Sequence, residues 1–212
     1  MAVIPNGPWR AAFDEAWASW CGGNFGIGAV LVNPEDQSIV TRGRNRVEEK
    51  PTELGQLAGN LTAHAEMNAY AALERRNAKG LVLYTTLEPC PMCDATGLML
   101  RPDEVHFAAL DPYVENAHEL WSHQEWTASR APARIGPLEG LVALFAEFLP
   151  MTYMIRRFDG DPFIDKVRAM RPDLSSLADE VIASRTLAQI RDSYGDVEDA
   201  VAAAAPFLAT LR

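Results

Sequence analysis

Apolar residues near the start of the chain recur with the spacings of one helix and two strands. Over residues 9–21 they lie three and four positions apart, which predicts an amphipathic helix. Two apolar runs follow, at 27–32 and 38–41, and the turn-forming sequence Asn-Pro-Glu-Asp at 33–36 separates them. The two runs therefore predict a β-hairpin.

Helices and strands then alternate. The predicted elements are a helix over 63–76 with Thr62 as its N-cap, a buried strand over 81–86, a helix that starts at Pro89 and Pro91 and runs to about Leu100, and a strand over 105–110. Alternation after an opening hairpin predicts a layered α/β domain with a partly parallel sheet. We assign this domain to residues 1–150.

The remaining sequence, beyond Leu110, has helical periodicity. Within it we treat 151–212 as a helical C-terminal extension, with helices starting at Asp173 and Asp196. The apolar stretch 141–155 is interrupted by Glu147 and Pro150. We therefore expect no membrane span and a cytoplasmic location.

The charge of the chain bears on its partners. It has 212 residues and a formal net charge of −10, with 19 Lys and Arg against 29 Asp and Glu. Proteins gain most of their non-specific affinity for a phosphate backbone from Lys and Arg. We therefore expect a small-molecule substrate and no nucleic-acid partner.

Four residues carry the chemistry. His64 lies two positions before Glu66, and Cys90 and Cys93 are three apart at the start of a predicted helix. One imidazole and two thiolates are three ligands for Zn²⁺ and leave a fourth tetrahedral position for water. Glu66, which is not needed as a ligand, could carry protons. This arrangement is the signature of zinc deaminases, and a purely structural zinc site is the alternative.

Several segments resemble the cytidine deaminase-like superfamily. They are Ile27–Val32, Gly43–Asn45, Thr62–Glu66 and Leu83–Cys93. The match spans roughly residues 8–112 and is nearest to the branch of tRNA adenosine, guanine and cytosine deaminases. The resemblance implies a three-layer α/β/α fold with a five-stranded mixed sheet, one zinc ion per subunit and a homodimer.

The resemblance also implies roles for single residues. His64, Cys90 and Cys93 would bind zinc, and Glu66 would transfer protons. Substrate contacts would come from the Asn45 side chain, the Ala63 backbone and the Ile27 side chain, in the last case by packing on the ring. After Asp111 a segment with Tyr113, two histidines and two tryptophans could form a lid, although ordinary packing is the first interpretation.

Three functions remain open from the sequence. The first is a zinc-dependent hydrolytic deaminase of a nucleobase, nucleoside or related aminated heterocycle, with guanine-like and cytosine-like rings first. The second is a tRNA adenosine deaminase, for which a cluster of basic residues would be expected. The third is a non-catalytic, zinc-stabilised binding protein, against which the presence of Glu66 argues.

Overall fold

The strands form one mixed sheet. The computed structural model describes residues 3–50, 57–114 and 116–211. Its strands are β1 (Gly28–Val32), β2 (Ile39–Arg44), β3 (Val82–Thr85), β4 (Glu104–Phe107) and β5 (Ala133–Ile135). Their order is β2-β1-β3-β4-β5, with β1 antiparallel to β2 and β3, and with β3, β4 and β5 parallel. The α/β class with a five-stranded mixed sheet is confirmed.

Helices cover both faces of this sheet and form the C-terminal part of the chain. They are α1 (Pro8–Cys21), α2 (Ala65–Ala71), α3 (Pro91–Leu100), a 3₁₀-helix (Ala117–His123), α4 (Glu125–Ala128), α5 (Gly140–Arg157), α6 (Pro162–Met170), α7 (Pro172–Ala183), α8 (Thr186–Asp192) and α9 (Val197–Leu208). Among the described residues, none of the helices could span a lipid bilayer.

Two glycines allow helices to approach the hairpin from opposite sides. A Cβ on Gly28 would lie 2.1 Å from the Ala12 carbonyl oxygen of α1, and one on Gly43 would lie 2.2 Å from the Ala65 carbonyl oxygen of α2. Gly43 pairs with Ala29, the neighbour of Gly28, and neighbouring strand residues face opposite sides of a sheet. The glycines therefore let α1 and α2 pack closely on the two faces, which gives the three layers.

Helix α2 is shorter than predicted and begins later. It starts at Ala65 with His64 as the N-cap, so the prediction of Thr62 as the cap was wrong. The Thr62 hydroxyl instead donates to Asn60 Oδ1 at 2.5 Å. The helix ends at Ala71 rather than near residue 76, and in the following loop Arg75 donates to the Asn77 carbonyl at 2.9 Å. Hydrogen bonds from local side chains thus take the place of helical hydrogen bonds at both ends of α2.

The strand predictions need two corrections. Strand β2 continues to Arg44, three residues beyond the predicted end, because the backbone keeps pairing with β1 as far as Gly28. Strand β5, which the sequence pattern did not indicate, lies in a region predicted to be helical. Its three residues are exposed or half-buried and have no apolar run, and the strand is formed by parallel pairing with β4.

The C-terminal helices pack on α5 and share its core. Phe145 and Leu149 of α5, Leu174 of α7 and Val201 of α9 are buried in one cluster, which also includes Phe13 of α1. Asp196 caps α9 as predicted, within a reciprocal capping box. For α7 the N-cap is Arg171, and Asp173 lies in the first turn instead. The division of the chain after residue 150 stays a prediction, and α5 runs through that point.

Candidate metal centre and adjoining pocket

Two helix starts bring the three donor residues together. His64 is the N-cap of α2, Cys90 is the N-cap of α3, and Cys93 lies in the first turn of α3. The two sulfurs are 3.6 Å apart, and His64 Nδ1 lies 3.5 Å from Cys90 Sγ and 3.6 Å from Cys93 Sγ. As the N-cap, His64 has an extended backbone and lies at the entrance of α2, before the helical residues begin.

These distances fit zinc. Bonds of about 2.3 Å to sulfur and 2.0–2.1 Å to nitrogen, at tetrahedral angles, separate two sulfurs by about 3.8 Å and a sulfur from a nitrogen by about 3.6 Å. The three observed separations, 3.5 to 3.6 Å, lie within about 0.2 Å of those values. In the described part of the chain these three residues alone form a donor cluster of this kind, so a bound ion would keep an open position.

The two cysteines have opposite protonation preferences in the metal-free chain. The hydrogen bond from Cys93, together with His64 and against the effect of burial, lowers the pKa of Cys90 to about 4. The same hydrogen bond, with burial and the charge of Glu66, raises the pKa of Cys93 well above its ordinary value. Cys90 is therefore a thiolate at neutral pH, and Cys93 holds a proton that metal binding must displace.

Glu66 lies beside the cluster and is buried. Its Oε2 is 3.3 Å from Cys93 Sγ, and its Oε1 accepts a hydrogen bond of 2.7 Å from the Thr85 hydroxyl at the end of β3. Burial raises the pKa of Glu66, an effect that the Thr85 hydrogen bond opposes. A carboxyl group with a raised pKa next to a metal site is suited to accepting and returning protons.

An ion-pair network, which the sequence did not indicate, supports the cysteine turn. Arg134 of β5 donates to Glu88 Oε1 at 2.8 Å and to Asp94 Oδ1 at 2.9 Å. Glu88 and Asp94 are both buried and lie on either side of Cys90 and Cys93 in the sequence. The unpredicted strand β5 thus supplies the cation that holds this turn in place.

A cavity of about 130 Å³ adjoins the cluster at His64. Asn45 and Ile27 line it, as the resemblance implied. Ala63 is fully buried and is absent from the lining, and its N–H and C=O groups are bonded to Asn60 and Arg46. The structure therefore brings two of the three expected substrate contacts to the pocket and leaves Ala63 outside it.

Most of the pocket comes from residues that sequence reasoning did not assign to it. They are Phe25, Leu87, Asp111, Pro112, Glu147, Pro150, Met151 and Met154. Tyr113 also lines the pocket, whereas His118 of the possible lid lies 3.7 Å from Glu88 Oε1 instead. Glu147 had a signal in the sequence, because it is the single charged residue in the apolar stretch 141–155.

Two carboxyl groups give the pocket its acidic character. Burial raises the pKa of Asp111 to about 6, against a hydrogen bond from the Tyr113 backbone. Burial also raises the pKa of Glu147, and the ion pair of Glu147 with Arg171 opposes that shift. The pocket is otherwise largely apolar, so it suits a flat ring that has N–H donors at its edge.

Sequence comparison assigns the family. Residues 8–109 match the model described as "Cytidine and deoxycytidylate deaminase zinc-binding region". A tRNA-specific adenosine deaminase of Rickettsia bellii is 30% identical over 106 residues, which cover 48% of this chain and 68% of that protein. The chain belongs to the cytidine deaminase-like superfamily. Zinc is therefore the metal that the His64, Cys90 and Cys93 cluster could hold.

Other members of the superfamily are similar over the same part of the chain. The tRNA-specific adenosine deaminases of Aquifex aeolicus and Bacillus subtilis are 37% and 38% identical over 48% and 49% of this chain, which spans 64% and 60% of their own lengths. A solved structure from studies of A-to-I editing by tRNA:A34 deaminases has a TM-score of 0.51 and 31% identity, covering 68% of this chain and 95% of that one.

Proposed function

We propose that this protein is a zinc-dependent hydrolytic deaminase that replaces an exocyclic amine of a nucleobase by oxygen and releases ammonia. The observation that carries the proposal is the position of Glu66, whose Oε2 lies 3.3 Å from Cys93 Sγ beside a three-donor cluster that adjoins a ring-sized pocket. A structural zinc site needs four protein ligands and no neighbouring proton carrier.

Each residue has a definite task in this reaction. His64, Cys90 and Cys93 would hold zinc, which when bound would supply activated water. Glu66 would accept a proton and return it to the departing amine, while the Thr85 hydroxyl keeps the carboxylate in position through its hydrogen bond to Oε1. The buried Asn45 presents its side chain to the pocket, where it would orient the ring.

The first candidate substrate is adenosine in tRNA. Its support is the set of similar proteins, since those of Aquifex, Bacillus and Rickettsia are each named tRNA-specific adenosine deaminase. These names favour an RNA substrate over the free base that the sequence alone put first. This chain spans about two thirds of the length of the proteins that carry these names.

The second candidate is a free guanine-like base. The Asp111 and Glu147 carboxyl groups line the pocket, and guanine offers several N–H donors, whereas adenine linked to ribose offers only its amine. The formal net charge of −10 also disfavours collecting a polyanion. A guanine deaminase of Bacillus subtilis is 36% identical over 42% of this chain.

The decisive experiment measures ammonia released from tRNA, adenosine, guanine, cytosine and cytidine. We expect release from at least one of them, and a loss of at least about 100-fold in kcat for Glu66→Gln with zinc content unchanged. Glu35→Gln, at an exposed turn position, is the matched control and should keep full activity. If neither wild type nor variant releases ammonia from any substrate, the binding-protein alternative replaces this proposal.

A salt titration of tRNA binding separates the two candidate substrates. A tRNA enzyme should bind with an affinity that falls steeply as salt rises, because bound phosphates release counterions. Guanine turnover without saturable tRNA binding would assign the free base as the substrate.

The homodimer stays a prediction, which sedimentation equilibrium of the zinc-loaded protein would test.

A further inference from the structure

A second cavity of about 250 Å³ lies among α1, α5, α7 and α8. Trp20 and Thr152 form its floor, and apolar residues of α7 and α8 contribute to its walls. Three arginines line it, Arg156 at the end of α5, Arg185 just before α8 and Arg191 within α8. A concentration of arginines around one cavity is unexpected in a chain with a formal net charge of −10.

The positive charge of this cavity is only partly neutralised. Asp192 pairs with two of the arginines, at 3.3 Å from Arg185 and 2.8 Å from Arg191. Within residues 3–50, 57–114 and 116–211, Arg156 forms no ion pair with a carboxylate. Three guanidinium groups against one carboxylate leave a local charge of +2, which matches the charge of a phosphate monoester near pH 7.

The aromatic floor positions the guanidinium groups. Arg156 Cζ lies 5.5 Å and Arg191 Cζ 6.0 Å from the centre of the Trp20 ring, distances at which a cation and an aromatic ring attract each other. Trp20 is itself fixed, since it stacks on Trp17 at 5.2 Å and donates its indole N–H to Thr152 at 2.9 Å. The indole N–H of Trp20 is therefore already bonded within the protein, and the three arginines supply the charged donors among the residues that line the cavity.

Helix α5 separates this cavity from the pocket beside the metal cluster. Glu147, Met151 and Met154 line that pocket, whereas Thr152 and Arg156 line the second cavity. Arg156 is nine residues beyond Glu147, a rotation of about 180° on a regular helix. The two sites consequently lie on opposite sides of α5, and the arginines belong to a site of their own.

We propose that the cavity formed by Arg156, Arg185 and Arg191 over Trp20 binds a phosphate group. Guanidinium groups bind phosphate oxygens through paired, charge-assisted hydrogen bonds, and three arginines line this cavity. The phosphate is either that of a free nucleotide or a phosphodiester of an RNA backbone. Binding at this site requires no turnover, so its test is independent of the deaminase proposal.

Calorimetric titration of the zinc-loaded protein with inorganic phosphate and with AMP tests the free ligand. We expect saturable binding that weakens by about tenfold or more in Arg156→Gln and in Arg191→Gln, since each removes a charge-assisted hydrogen bond. The matched control is Arg130→Gln, because Arg130 also lies over a tryptophan, 4.2 Å from the Trp126 ring, and does not line the cavity. This control should leave the affinity within about twofold.

Anisotropy measurements with labelled tRNA over a range of salt concentrations test the RNA source. If the backbone occupies the site, Arg156→Gln lowers the slope of log affinity against log salt by about one, and Arg130→Gln leaves it unchanged. If phosphate and AMP bind and tRNA does not, the phosphate group at this site is that of a free nucleotide.

The proposal is overturned if wild type shows neither phosphate-saturable nor arginine-dependent binding in either assay, or if Arg130→Gln weakens binding as much as Arg156→Gln. Circular dichroism of each variant confirms that it is folded.

Discussion

Cys93 and Glu66 lie 3.3 Å apart in a buried part of the site, where the hydrogen bond with Cys90, burial and the charge of Glu66 all disfavour ionisation of the Cys93 thiol. Cys90 has the opposite preference, because Cys93 donates to it and His64 is close. The protonation state of the metal-free cluster is thus one thiolate and one thiol. Binding of zinc should release the proton of Cys93, since the metal needs both sulfurs as thiolates.

Zinc affinity should therefore depend on pH. The pKa of Cys93 is raised, so affinity falls as pH is lowered, by about tenfold per pH unit while its proton alone is displaced. Against the effect of burial, the hydrogen bond with Cys90 also raises the pKa of His64, so the fall becomes steeper once His64 is protonated. Cys90, with a pKa of about 4, adds nothing to this slope near neutral pH. Competition with a chromophoric chelator from pH 8 to pH 6 measures it. Cys21→Ser, which alters a cysteine outside the cluster, should give the same slope, and a pH-independent affinity would contradict this interpretation.

At the scale of elements, the site depends on how close α2 comes to the hairpin. His64 and Glu66 lie at the start of α2, and the first residue of that helix, Ala65, faces Gly43 of β2. Asn68 of α2 also donates to the Arg44 carbonyl of β2 at 3.1 Å. The position of the metal ligand and of the proton carrier is consequently set by one close contact between a helix and a strand.

Replacing Gly43 by Ala should disturb that contact. The new Cβ would lie 2.2 Å from the Ala65 carbonyl oxygen and 2.3 Å from the Ala69 backbone nitrogen, so α2 must move. We expect a loss of at least about 1–3 kcal/mol in the free energy of unfolding, together with weaker zinc binding. Chemical denaturation and chelator competition measure the two effects. Gly22→Ala, whose Cβ would meet its neighbours at an ordinary 3.4 Å, should leave both nearly unchanged.

At the scale of the whole molecule, the C-terminal helices belong to the same packing unit as the site. Helices α7 and α9 bury apolar residues against α5, and α5 provides Glu147, Pro150, Met151 and Met154 to the pocket. One face of α5 therefore contacts the C-terminal helices while another lines the pocket. Residues 151–212 thus line the pocket directly through Met151 and Met154, and their later helices pack against α5, which carries the other pocket residues.

A core substitution far from the metal cluster should thus loosen the site. Leu174 of α7 is fully buried, and Leu174→Ala should lower the free energy of unfolding by about 2–5 kcal/mol. Because the core is shared, zinc release and helix unfolding should occur in one thermal transition, at a lower temperature than in wild type. Tyr194→Ala, at a side chain that is 97% exposed, is the control and should not shift the transition. Zinc release at an unchanged temperature in Leu174→Ala would show that the extension is independent.

The sequence by itself determined the local elements and the chemistry of the cluster. Periodicity identified α1 and the hairpin, and two prolines identified the start of α3. Residue type and spacing identified His64, Cys90 and Cys93 as one group of metal ligands, with Glu66 as the proton carrier beside them. The helices and strands depend on contacts between near neighbours in the chain, which leave a regular pattern in the sequence. The metal centre was identified by residue type, although His64 and Cys90 are 26 positions apart.

The tertiary structure alone decided the features that join distant segments. Strand β5 is formed by its pairing with β4. The pocket is lined by Glu147, which is 81 residues beyond Glu66 in the sequence. The arginine cavity is formed by residues of three helices together with Trp20 of α1. None of these leaves a local period, because each partner is stabilised by a residue that is remote in sequence. The metal ligands could therefore be identified from the sequence, whereas most of the residues that line the pocket and would select a substrate could not.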